Sequence, residues 1–389
     1  MPTRSTAWWL DRVSRLSIER ATSLDELAAL EPGWNELLAR SGTDTVYLTF
    51  EWVSSWMRWI GRDAQPMVLV ARNHEGETVG IAPLMITRSR DPGASRGEIQ
   101  FIGTPNSDYS DFIVLEERER VLRAFFSALR RGPQDWQTMS LREIPESSPN
   151  RGPLTGLGRR GAFPGDAWPG NACPSLLLEQ REEEVRRELQ RKKYVGKRDW
   201  EKSIDYAERF GAVQFQHART LQEAEALLPD LFRLHKARWS GTSKFEDEAY
   251  EGFYRSVVTR LWPKGHVAVT AMTLDAKPIA VSLAFPYKGT WTNHNWVHDR
   301  DLAKLSPGTL LIHFMIVDAL ARGYREFDLT RGAESYKRRF SNTVRHNTDL
   351  LVYRRQSSYL RARLHGLLSR TRTRVAGGAA RYSRRASDR

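Results

Sequence analysis

One β-hairpin motif occurs twice in this chain, and that repeat limits its possible folds more than any other feature. Thr78-Val79-Gly80-Ile81-Ala82 and Pro278-Ile279-Ala280-Val281-Ser282 correspond by residue type at an offset of about two hundred residues, a long period that predicts two copies of one supersecondary unit. Hydrophobic periodicity gives each copy a similar series of elements. The first has a helix over 50–60, with Trp52, Val53, Trp56, Trp59 and Ile60 on its apolar face, then strands over 67–72 and 78–86 about the turn His74-Glu75-Gly76-Glu77. Strands over 98–102 and 111–114, a helix over 117–130 and a strand over 138–142 follow. The second has helices over 221–239 and 248–261, strands over 266–274, 278–286 and 290–297, a helix over 307–322 closed by Gly323, and a strand over 326–330. With 40% hydrophobic residues and 13 Trp, 389 residues can close two cores of ordinary size. The fold class expected is α/β with a mixed sheet.

The flanking and connecting segments differ in composition. Residues 145–178 are rich in Pro, Gly and Ser and read as a linker between a first domain over 18–144 and a second over 179–355. The charged stretch 179–209 is helical by composition. Its basic runs Arg191-Lys192-Lys193 and Lys197-Arg198 fit a solvated helix face, with phosphate contact as the alternative. Residues 1–17 are expected to be flexible. The net charge of +13 is concentrated at one end: from Arg354 to Arg389 there are eleven arginines and one acidic residue, Asp388. That tail, 356–389, should be partly helical and then disordered. The remainder is nearly neutral, so the basic total does not define a nucleic-acid-binding fold.

A single cysteine, Cys173, excludes an intrachain disulfide and a Cys-based zinc site. A reducing cytoplasm is the expected compartment. No apolar h-region follows Trp8-Trp9-Leu10, and the longest apolar stretch, 310–321, is broken by His313 and Asp318, short of the ~20 residues a membrane span needs.

The chemistry is expected near residues 290–340. Ser306 is a good N-cap, Pro307 suits the first helical position, and Gly308 would let a ligand approach the backbone. The free amides and dipole of such a helix start fit a diphosphate. His235 and Arg238, three apart on a helix, share a face and could line an acceptor pocket with Trp239; helix packing or a surface pair is the simpler alternative. His294 and His298 lie on a strand, where four residues span about 13 Å, too far for one ion. No metal site is expected.

The run Ser306-Pro307-Gly308-Thr309-Leu310-Leu311, then Gly323, Phe327-Asp328 and Arg331-Gly332-Ala333-Glu334-Ser335-Tyr336-Lys337, resembles the GNAT-superfamily branch that contains the CelD-type cellulose-biosynthesis acetyltransferases. Leu234-His235-Lys236-Ala237-Arg238-Trp239, Phe50-Glu51-Trp52 and Asp108-Tyr109-Ser110-Asp111 fit the same pattern. The branch is similar to the Fem-type aminoacyl-tRNA-dependent transferases, which carry two GNAT-like domains in tandem. The resemblance therefore implies a tandem GNAT-like architecture, acetyl-CoA or another acyl-CoA as cosubstrate, and an amine acceptor such as an amino sugar or a cell-envelope precursor. The superfamily's usual signature, Arg/Gln-x-x-Gly-x-Gly/Ala, is not reproduced around Gly308, so the donor is implied by family and not by motif.

Amine attack on a thioester needs a base, an oxyanion partner and a proton for the leaving thiolate. The resemblance makes Asp328 or Glu334 the candidate base and Tyr336 the acid. Ser306, Gly308, Thr309, Leu310 and Lys337 would hold the donor. Arg331, His235, Arg238, Trp239, Asp108 and Tyr109 would bind substrate. A structural ion pair between Arg331 and Glu334 and a packed Tyr336 are the alternatives. Two further readings are an aminoacyl-tRNA-dependent transferase and a catalytically silent scaffold in polysaccharide assembly. In the tail, Tyr359, Leu360, Leu364, Leu367 and Leu368 with Arg361, Arg363 and Arg370 suit contact with an anionic membrane surface.

Overall fold

A computed structural model describes residues 16–88, 97–132, 135–159, 163–178 and 197–364. The first half runs β1 (Ser17–Ala21), α1 (Leu24–Ala28), α2 (Glu31–Arg40), α3 (Phe50–Trp59), β2 (Gln65–Pro66), β3 (Val68–Arg72), β4 (Thr78–Ala82), β5 (Leu84–Thr87), β6 (Gly97–Phe101), β7 (Ile113–Val114), α4 (Arg118–Arg131), β8 (Trp136–Ile144), α5 (Arg151–Arg159) and β9 (Gly165–Leu177). The second runs α6 (Lys197–Glu208), β10 (Val213–His217), α7 (Leu221–Arg238), α8 (Glu248–Leu261), β11 (Ala268–Leu274), β12 (Lys277–Tyr287), β13 (Thr290–His298), α9 (Pro307–Ala321), β14 (Glu326–Asp328), α10 (Lys337–Phe340) and β15 (Thr343–Tyr353).

Both repeated hairpins form, β3 with β4 and β11 with β12. Each is followed by a helical crossover between parallel strands: α4 joins β6 to β8, and α9 joins β13 to β14. This repetition is the tandem GNAT-like architecture. The apolar face of α3 buries Trp52, Val53 and Trp56, and the helix packs on α8 of the other half, where Gly252 faces the Trp59 ring closely enough to leave no room for a Cβ. Apolar nearly all round, as a core helix must be, α9 packs on β11, β12 and β13 and meets α6. Together with the short turn before it, α9 is long and apolar enough to cross a membrane, but it serves here as a core helix. Gly323 ends it at φ +77, the left-handed conformation that glycine adopts without strain.

The strands form a four-stranded sheet, β1-β3-β4-β7, and an eleven-stranded sheet, β10-β11-β12-β13-β14-β9-β15-β8-β6-β5-β2. The segment expected as one strand over 78–86 divides at Pro83, which has no amide hydrogen for a ladder. β4 stays in the small sheet and β5 enters the large one.

The segment 145–178, expected as an irregular linker, contains α5 and the 13-residue strand β9. β9 lies at the centre of the large sheet, between β14 and β15, and β15 pairs in turn with β8. Its glycines mark close approach: a Cβ on Gly165 would stand 2.5 Å from the Leu351 carbonyl, and one on Gly170 2.8 Å from Asp349 Oδ1. Of the charged stretch 179–209, α6 begins at Lys197; residues 179–196, the first fifteen residues and those beyond 364 lie outside the described residues. In the tail, residues 356–364 are helical, with Leu360 and Leu364 exposed and Arg363 paired to Asp166.

Candidate active site

β13 and β14 pair only from Thr290 to Thr292 and from Glu326 to Asp328. Beyond that point β13 continues to His298 while the other chain turns away at Thr330. A cavity of about 630 Å3 opens where the two strands part. Thr330 has φ +61, an outlier for a β-branched residue. The turn is held by the Asp328 carboxylate, which accepts from Thr330 N at 2.8 Å, and by buried Lys337, whose Nζ donates to the carbonyls of Thr330 at 3.3 Å and Arg331 at 2.5 Å.

Side chains from both halves meet across this cavity in one hydrogen-bonded chain. Arg331 donates through Nε to Asp108 Oδ1 and through Nη1 to Glu143 Oε1, each at 3.0 Å, and through Nη2 to the Pro105 carbonyl. Glu143, itself at φ +62, also accepts from Asn171 and Asn347. Asp108 Oδ2 accepts from the Tyr47 hydroxyl at 2.7 Å and from His294 Nδ1 at 2.8 Å. A carboxylate only accepts, so His294 carries its hydrogen on Nδ1, and Nε2 of the neutral ring accepts from the Tyr254 hydroxyl at 2.9 Å. The Tyr254 oxygen in turn accepts from Lys244 Nζ at 2.8 Å.

Burial sets the protonation states, modified by these partners. Desolvation would raise Asp108, but the His294 hydrogen bond, the Arg331 charge and the Tyr47 hydrogen bond outweigh it and hold the carboxyl at about 2. Burial lowers His294 despite its Asp108 partner, so the imidazole is neutral at pH 7. Lys244 is lowered by burial, raised by Asp108 and lowered by Arg331, to about 7. Tyr336 is raised by burial to about 12 even though Trp296 Nε1 donates to its oxygen at 3.1 Å. Its hydroxyl keeps its proton.

The structure brings most of the expected site residues to this cavity. Asp108, His235, Arg238 and Trp239 line it from one side, and Arg331, Glu334, Tyr336 and Lys337 from the other. His235 Nδ1 shares a hydrogen bond with Ser243 Oγ at 2.8 Å, and its ring lies tilted against that of Trp239 at 4.2 Å between centroids. Burial, with Lys244 next, lowers it to about 4. Arg331 pairs with Asp108 and Glu143, not with Glu334, whose partner is Lys337 at 3.2 Å. Glu334 is 56% exposed, at the rim. Lys337, expected on the donor, spends its ammonium on the turn.

Asp328 and Tyr109 lie elsewhere. Alternation along the chain turns both into a second cavity of about 240 Å3, so Asp328 faces away from Leu329 and Thr330, which line the first. Burial raises Asp328 to about 6. Ser306, Gly308, Thr309 and Leu310 line neither cavity. Ser306 adopts φ +53 and its side chain makes no cap hydrogen bond, correcting its expected role. The space expected to admit a ligand at Gly308 is taken by side chains of β13: a Cβ there would stand 2.4 Å from the Trp296 ring and 2.7 Å from His298 Nδ1. Beside that helix start is an open hollow of about 490 Å3 lined by Arg238, Trp239, His298, Arg300 and Ala303. Arg238 lies 5.0 Å over the Trp239 ring and 3.2 Å from His298 Nε2. Two arginines beside an indole fit the phosphates and a flat base of an acyl-CoA.

Sequence reasoning missed Lys244, Tyr254, Glu143 and Tyr47, and weighed His294 only as a metal ligand. Nothing local marks them; their chemistry comes from burial and from partners distant in sequence. Cys173 is buried on β9, and burial pushes its thiol up to about 12, so it is no nucleophile.

An α/β fold with its cavity at the divergence of two parallel strands is the class these features define. Residues 196–338 match the family model described as acetyltransferase (GNAT) domain. No curated protein matches the sequence. FemX is similar in structure with a TM-score of 0.57 at 8% identity, over 85% of this chain and 96% of that one. A conserved protein of unknown function from Bacteroides thetaiotaomicron has a TM-score of 0.52 at 9% identity, over 87% of this chain and all of that one. These two likenesses are of fold.

Proposed function

We propose that the protein transfers an acyl group from acyl-CoA, acetyl-CoA being the expected donor, to an amine held in the cavity between β13 and β14. One observation carries the reading. Asn293 and Asn295, which line the cavity, each have a buried Nδ2 without a partner among the described residues. In this arrangement Asn293 Oδ1 accepts from Ser282 and Asn295 Oδ1 from Lys244. A buried donor left unpaired costs about 1–3 kcal/mol, and donors so placed suit an oxygen that gains negative charge during acyl transfer.

The donor supplies a thioester carbonyl. Arg238 and Arg300 bind its phosphates beside Trp239. The amides of Asn293 and Asn295 hold the carbonyl oxygen as it becomes anionic. The Tyr336 hydroxyl delivers the proton required at the departing sulfur. Among acceptors, the CelD-type resemblance favours an amino sugar or another cell-envelope precursor. The exposed Leu360 and Leu364 beside Arg361 suit contact with an anionic membrane from the cytoplasmic side.

Thermal shift with acetyl-CoA, free CoA and charged tRNA separates the donors, because a ligand that binds only the native state raises its apparent stability. Both CoA compounds are expected to stabilise the protein. Asn293→Ala should then lower kcat by roughly 100-fold with KM little changed. A response to charged tRNA alone would replace this reading with an aminoacyl-transfer one; no response to any donor would favour a silent scaffold.

A further inference from the structure

Lys244 stands on the short turn Lys244–Glu246 between α7 and α8 and lines the cavity. Its Nζ makes two hydrogen bonds, to the Tyr254 hydroxyl oxygen at 2.8 Å and to Asn295 Oδ1 at 2.9 Å. Neither acceptor is charged, and among the described residues no carboxylate lies within 4.0 Å of the nitrogen. Five elements direct titratable groups at it: Tyr254 from α8, His294 from β13, His235 from α7, Asp108 from the loop before β7 and Arg331 from the turn after β14. Tyr250 of α8 lines the same cavity. Asp108 is the anion of this group, and it is already bound to Arg331 and His294.

The hydrogen bonds at Nζ are ones an uncharged amine satisfies completely. The Tyr254 proton is committed to His294 Nε2, so its oxygen only accepts from Lys244. A neutral amine has two N–H bonds, which these two acceptors take, and one lone pair, which they leave unused. An ammonium would direct a third N–H into the cavity, where among the described residues no carboxylate stands within 4.0 Å to pair with its charge. The two other candidate bases are poorly placed, Asp328 in the second cavity and Glu334 at the solvent rim.

Resting on the acyl-transfer reading above, we propose that Lys244 is the proton acceptor for the incoming amine. The substrate enters as an ammonium and gives one proton to Lys244 Nζ. Its freed lone pair bonds to the thioester carbonyl carbon, and the C–S bond breaks with its electron pair going to sulfur. The nitrogen's second proton reaches sulfur through the Tyr336 hydroxyl, which gives one proton and regains one. Lys244 then returns its proton to solvent, so an ammonium and a thioester yield an amide, a thiol and one proton. The Tyr254, His294 and Asp108 chain positions the base.

Two measurements on the full-length protein test this. Competitive labelling of the wild type with acetic anhydride from pH 5 to pH 11, read by mass spectrometry at the Lys244 peptide, needs no turnover. Lys244 should react with a midpoint near pH 7, whereas exposed lysines do so above about pH 10. Lys244→Arg keeps a cation that cannot shed its proton, and should lower kcat about 100-fold while leaving the donor-induced thermal shift intact. Lys244→Cys, alkylated with bromoethylamine, should recover activity, with the rise of kcat moved to lower pH. A labelling midpoint above pH 9, or an arginine variant as active as wild type, overturns the base role and leaves acyl transfer standing. A wild type that transfers from no thioester overturns both.

Discussion

His294 Nδ1 donates to Asp108 Oδ2 at 2.8 Å, a bond that joins a strand of the second half to a loop of the first inside the cavity. Asp108→Asn keeps the shape but removes the charge opposite Arg331 and one of the two acceptor oxygens that Arg331, Tyr47 and His294 share. A loss of about 3 kcal/mol in stability at pH 7 is expected, the scale of breaking a buried ion pair. The folded value near 2 lies below the ordinary 3.8, so the stabilisation is complete above about pH 4 and disappears as pH falls toward 2. Denaturant unfolding of both proteins at pH 7 and at pH 2.5 checks this. A gap of the same size at both would show that the charge is not what stabilises.

Gly308 has surrendered its side-chain space to Trp296 and His298. In Gly308→Ala the methyl carbon would meet the Trp296 ring at 2.4 Å, and the helix start or the indole must move. The expected cost is about 1–3 kcal/mol, as for other overpacked sites. Trp296→Leu should relieve part of it. A double-mutant cycle on stability should therefore give a coupling between the two positions, and strict additivity would mean that they do not touch.

Asp328 gives a pH dependence of opposite sign to Asp108. Its folded value, raised by burial to about 6, lies above the ordinary 3.8. The protonated acid is the favoured native form, so its contribution is complete below about pH 4 and lost as pH rises through 6. Asp328→Asn imitates the neutral acid at every pH. Relative to wild type it should gain about 3 kcal/mol between pH 4 and pH 7. Unfolding free energies of the pair at pH 4.5 and 7.5 decide the matter, a constant difference being the contrary result.

Much of the fold is legible because the core elements obey their periods. α3, α8 and α9 and both hairpins fall within a few residues of where apolar spacing puts them, and Gly323 closes α9 as expected. β9 was illegible because Gly165 and Gly170 read as loop residues, whereas they are the positions where β15 comes too close for any other side chain. Among residues that line the cavity, Arg331, Glu334, Tyr336 and Lys337 and the pair His235 and Arg238 were singled out from helix spacing and family pattern. Their partners were not: Arg331 binds Asp108 and Glu143, both about two hundred residues earlier.

By itself the sequence determined the repeated unit, the order of its strands and helices, and part of the cavity lining, since periodicity and turn residues act over a few neighbours. Only the tertiary structure decided that β9 and β15 fuse the halves into one sheet, that Asp328 and the cavity lie on opposite faces, and that Lys244 has no counterion among the described residues. Those outcomes depend on strand register and on desolvation by residues far apart in the chain, and no local pattern encodes either.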